Sequence, residues 1–160
     1  MKPTVWICAI IQVVLSALLS GCWNPDGTVT LNKHQTAELL TLLGTYEGPA
    51  HAERIMGAMM TGSWTVTFLQ EDSGALKCKC GLRLHDEQNG WGSPTTTTVD
   101  VKVLAGSGTG QYRLSAQGQF SDSEPAWSIC IDGISLTSGH PIDTFSLFDN
   151  ASYEIRLQRK

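Results

Sequence analysis

From Thr45 onward, apolar and polar positions alternate with a period of two, and the alternation breaks at turn-forming residues. Thr45 to about Arg54 reads as a polar strand, in which Pro49 predicts an edge or a bulge. Ala52 to Met60 fits either a strand or a short helix, with Met56, Met59 and Met60 as core filler. Trp64, Val66 and Phe68 alternate with Thr65, Thr67 and Leu69, the pattern of a half-buried strand. The next strand is the plainest. Leu76, Cys78, Cys80, Leu82 and Leu84 share one face, and Lys77, Lys79, Arg83 and His85 share the other. Asn89-Gly90 is a turn signal, extended by Trp91-Gly92-Ser93-Pro94. Thr95 to Leu104 reads as one Thr/Val strand with Val99, Val101 and Val103 inward. Strands carrying Tyr112, Leu114 and Ala116, then Trp127, Ile129 and Ile131, follow. Phe145 and Leu147, a turn at Asp149-Asn150, and Tyr153, Ile155 and Leu157 make a closing hairpin.

One stretch has a helical period instead. Asn32 is placed as an N-cap, Leu39, Leu40, Leu42 and Leu43 form the apolar face, and Gly44 stops the helix. Eight or nine short strands joined mostly by hairpin-type turns predict an all-β fold. The expected architecture is an antiparallel meander forming a barrel or sandwich, preceded by a short N-terminal helix.

The front of the chain follows a different logic. Lys2 precedes an apolar run from Val5 to Leu19, broken only by Gln12 and Ser16 and followed at once by the polar turn Asn24-Pro25-Asp26-Gly27. A cation, a short apolar stretch and small residues make a secretory signal peptide, and the run is shorter than the roughly 20 residues of a membrane span. Leu19-Ser20-Gly21-Cys22 resembles the lipobox of bacterial lipoproteins. The resemblance implies cleavage between Gly21 and Cys22, a diacylglycerol thioether on Cys22, and acylation of the new amino group. Several acyl chains together hold firmly where one holds only marginally. The chain then divides into a signal peptide (1–21), a lipidated tether (22–33) and a single β-rich domain (34–160). By resemblance to sorting in enteric-type bacteria, Trp23 after the lipidated residue favours the outer membrane of the envelope over the inner one.

Loss of Lys2 leaves 10 basic against 15 acidic side chains and a net charge of −5. That balance argues against nucleic acid and anionic headgroups as main partners. Of five cysteines, Cys8 departs with the signal peptide and Cys22 takes the lipid, leaving Cys78, Cys80 and Cys130. An oxidising compartment predicts one disulfide and one spare thiol. A bridge between Cys80 and Cys130, with Cys78 as the alternative, has the better geometry, because residues i and i+2 of a strand lie about 6.5 Å apart. A conflict comes with it. Cys78 and Cys80 sit on an apolar face, while Cys130 shares a polar face with Ser128 and Asp132. A bulge at Gly81 or Gly133 would resolve this; otherwise all three thiols stay free.

Catalytic patterns are missing. Gly106 to Gly110 lacks the Lys-Ser/Thr ending of a nucleotide loop and reads as a hairpin loop. The Cys78/Cys80 spacing matches no common zinc arrangement, and His34, His51, His85 and His140 are scattered. No Gly-x-Ser-x-Gly elbow occurs, and the pairs Glu71-Asp72 and Asp86-Glu87 fall in turns. The cations Lys77, Lys79 and Arg83 read as a solvated strand face rather than an anion site. The expectation is a non-catalytic protein with no metal and no cofactor.

Gly44-Thr45-Tyr46-Glu47-Gly48, following a short helix and opening a meander that ends in a strand with Arg156, resembles the lipocalin or calycin-like barrel. There an early aromatic, usually Trp, packs under a late Arg or Lys; Tyr46 and Arg156 would take those roles. The resemblance implies a small apolar ligand enclosed by Trp64, Val66, Phe68, Tyr112 and Leu114. The same side chains would equally fill a solid core, as in most small barrels. A solid core with an exposed aromatic patch built on Trp91 would instead mark a protein-interaction module, such as an envelope assembly factor or a hydrolase inhibitor.

Overall fold

The computed structural model describes residues 27–55, 58–86, 89–120, 126–149 and 154–160. The signal sequence, Gly21, Cys22, Trp23, Met56, Asp122–Pro125 and Asn150–Tyr153 lie outside the described residues.

Helix α1 (Lys33–Leu42) begins at a capping box. The Asn32 side chain accepts from the Gln35 backbone N–H at 2.9 Å, and the Gln35 side chain accepts from the Asn32 N–H at 3.0 Å. Thr36, Leu39 and Leu42 are buried. The other end is closed from far along the chain. Arg159 donates Nη1 to the Leu42 carbonyl at 3.2 Å and Nη2 to the Leu43 carbonyl at 3.1 Å, satisfying two acceptors that a helix terminus leaves open.

Among the described residues ten strands follow: β1 (Thr45–Ile55), β2 (Ala58–Gln70), β3 (Leu76–Asp86), β4 (Gly90–Trp91), β5 (Thr95–Asp100), β6 (Lys102–Ala105), β7 (Gln111–Gln119), β8 (Ala126–Ser135), β9 (Thr144–Asp149) and β10 (Glu154–Arg159). The fold is therefore all-β with one short helix, a curled antiparallel meander. Of the stretch from Ala52 to Met60, residues 52–55 and 58–60 are strand, not helix, in β1 and β2, which pair antiparallel with a register irregularity between Ala50 and Glu53 just after Pro49. β1 pairs with both β2 and β10. The stretch expected as one strand from Thr95 to Leu104 changes neighbours at Val101, where the Val101 N–H donates to the Leu76 carbonyl at 3.1 Å. Before that residue β5 pairs with β3, and after it β6 pairs with β7. The chain itself thus carries the sheet round the corner, and the meander curls into a half-barrel.

Part of the expected tether joins the barrel. Thr28 bridges to Leu104, and the Val29 N–H donates to the Val103 carbonyl at 2.7 Å, covering the free edge of β6. Gly133 makes the bulge in β8 with φ +75°, so that Tyr112 pairs with Ile134 but Leu114 with Ile131. Ile131 and Ile134 therefore both point inward although they are three residues apart. The bulge lies beyond Cys130 and does not turn it.

The core is continuous along the barrel axis. Near α1, Tyr46, Phe68 and Phe145 meet edge to face, with centroids 4.6 Å apart for Tyr46–Phe145 and 6.2 Å for Tyr46–Phe68. At the opposite end Trp64 stacks on Phe120 at 5.7 Å, with Trp127 buried nearby. Two expected pairings are corrected. Cys80 and Cys130 are not bridged, and Cys78 supplies no alternative. Cys78 and Cys80 are buried in the core while Cys130 is exposed on the outside, so a sheet's thickness separates them. Arg156 does not pair with Tyr46. Tyr46 pairs in register with Arg159, whereas Arg156 falls on the outward parity of β10.

Candidate functional site

The residues expected to line a ligand cavity all belong to the core. Trp64, Val66, Phe68 and Leu114 are buried, and Tyr112 packs half-buried against them. They share one core with other aromatics: Trp64 lies against Phe120 and Phe68 against Tyr46 and Phe145. Among the open depressions that the described residues form are two at the outer surface or rim. One, of about 470 Å³, lies by Gln117, Trp127, Ser128 and Phe148, and the other, of about 390 Å³, by Glu47, Pro49, Ser63 and Arg156.

Burial also silences the inner thiols. The Cys78 thiol is pushed up to about 12, and that of Cys80 is raised by burial and by the neighbouring Cys78, so both stay protonated at neutral pH. Tyr46 is raised by burial too, and its hydroxyl donates to the Ile142 carbonyl at 2.7 Å. Among the described residues no three His, Cys, Asp or Glu side chains gather as metal ligands. No described helix is long and apolar enough to cross a membrane.

The outer surface carries a more defined arrangement at the β3–β4 hairpin. Gly90, at φ +74°, takes the left-handed backbone that the turn requires. It sets Trp91 opposite His85, with the rings edge to face at 5.0 Å. The Gly92 N–H then donates to the Leu84 carbonyl at 2.9 Å, pinning the chain that leaves the hairpin. Arg83 completes the cluster: its Nε donates to the Gly92 carbonyl at 3.0 Å, and its guanidinium lies 5.3 Å from the Trp91 ring centroid. Trp91 nevertheless remains 49% exposed. A large aromatic held by a hairpin, a histidine and an arginine is a pre-ordered anchor, which costs little entropy to bind with.

Sequence reasoning singled out Trp91 but not the use of Arg83. Arg83 has the same parity as Lys79 and His85, and only the Gly92 loop folding back makes it a ring partner. No family model, curated protein or solved structure matches the chain.

Proposed function

We propose that this chain is a lipid-anchored lipoprotein of the bacterial envelope that acts without catalysis, binding a partner on its outer surface through the Trp91–Arg83–His85 cluster. The tether rests on Leu19-Ser20-Gly21-Cys22, with Cys22 as the lipidated residue, and Trp23 favours the outer membrane. One observation carries the choice of surface over cavity. The side chains that would enclose an apolar ligand are buried in one core cluster, while Trp91 is held in place and left open to solvent.

Native mass spectrometry of the full chain released from detergent tests this reading. The expected spectrum shows no non-covalent mass beyond the polypeptide and its covalent lipid. A mass increment that disappears on denaturation means a ligand carried inside, and it replaces the surface reading with that of an apolar-ligand carrier. Intact-mass measurement tests the tether: the Cys22→Ala chain should lose its covalent lipid mass, and an unchanged mass would sink the lipidation site.

A further inference from the structure

The outward side of β10, β1, β2, β3 and β5 collects cations without carboxylate partners, on a chain whose net charge is −4. Arg156 borders the depression of about 390 Å³ together with Glu47, Pro49, Ser63 and Gln158. Ser63 pairs with Arg83 on the next strand, and Lys79 projects four residues before Arg83 on the same face. Among the described residues Lys79, Arg83 and Arg156 form no ion pair. Of the acids nearby, Glu47 pairs with Lys160 and Asp100 with Lys77 at 2.7 Å, while Glu154 accepts from the Ser146 hydroxyl and keeps its charge beside Arg156. Between the cations the surface is lined with hydroxyls. Thr65 on β2 and Thr96 on β5 flank Gly81, which adds no side chain, and Thr67 and Thr98 flank Lys79.

We infer that this face binds an extended anionic polysaccharide, a reading that rests on the surface-binding function above and names its partner class. Neighbouring strands lie about 4.8 Å apart and residues along a strand about 3.3 Å apart, so Arg156, Arg83 and Lys79 are spaced by about 13–14 Å. Cations that far apart do not converge on one phosphate or carboxylate; they fit a polymer with repeated charges. The hydroxyl rows pair with sugar hydroxyls, and the open Trp91 ring stacks on a sugar face at the edge of the strip. The face lacks the broad apolar centre of a protein interface, which argues against a folded protein as occupant.

Affinity electrophoresis of the full chain in detergent decides it, with polygalacturonate as the acidic glycan, dextran as the neutral one and polyglutamate as the acidic polypeptide. The expected result is retardation by polygalacturonate alone, weakening as salt rises. Arg83→Gln and Arg156→Gln should each weaken it roughly tenfold, the scale of a lost charged hydrogen bond. Trp91→Ala should weaken it as well, while Lys33→Gln on the helix leaves it unchanged. No retardation, equal retardation by dextran, equal sensitivity to Lys33→Gln, or polyglutamate binding through the same arginines would each overturn the glycan. None of these removes the surface-binding reading, which the retained mass described above tests by itself.

Discussion

At the scale of single residues, the helix end of the barrel depends on Tyr46 and Arg159. Tyr46→Phe removes the hydrogen bond to the Ile142 carbonyl and should lower unfolding stability by about 1 kcal/mol, read by denaturant titration. Arg159→Lys should not rescue Arg159→Ala, because one ammonium does not reproduce a fork that reaches two carbonyls at once. The thiols set an alkaline limit. Cys78 holds its proton to about 12 in the fold, against an ordinary value near 9.0, so the folded chain binds more protons than the unfolded one between those values. Stability is therefore complete below pH 9 and falls as pH rises, by up to about 1.4 kcal/mol per pH unit for each such thiol. The double variant Cys78→Ala with Cys80→Ala should flatten that limb in a urea titration repeated from pH 8 to 11. Alkylation at neutral pH should mark Cys130 in the folded chain and leave Cys78 and Cys80 unlabelled until it unfolds.

At the scale of elements, the periodic patterns were good guides to strands and poor guides to their partners. Asn32 was readable as a cap because its chemistry is local, and Asn32→Ala should cost about 1 kcal/mol by the same titration. Gly48 is different. A Cβ there would lie 2.7 Å from the Arg156 carbonyl oxygen and 2.7 Å from Leu157 Cδ2, which reflects how closely β1 and β10 approach. Gly48→Ala should cost about 1–3 kcal/mol through that clash, and nothing in the Gly44–Gly48 segment itself reveals it. Arg156 was the natural choice for the cation over Tyr46 because it lies in the last strand. Register alone, with Tyr46 opposite Arg159, shows that Arg156 is not its neighbour on β10. The strand from Thr95 to Leu104 kept its alternation across Val101, so the change of partner there left no mark in the text of the chain.

At the scale of the whole molecule, alternation of apolar and polar residues, turn chemistry at Asn89-Gly90 and a capping box determined an all-β meander behind one helix. These are interactions between residues near in sequence, so composition and spacing carry them. The opposed faces of Cys78 and Cys130 were legible too, since side-chain parity along a strand is a local property. The order of strand pairings, the cation that closes the helix end, the packing of the core and the Arg83–Trp91 cluster were decided by tertiary structure. Each of them joins residues that are distant in sequence, or depends on strand register, and a one-residue slip in register would send every side chain of a strand to the opposite face. The sequence could name Trp64, Val66, Phe68 and Leu114 as inward, but inward residues line a cavity or fill one equally well. The difference is whether opposite walls meet, and that distance is set only when the sheet has curled.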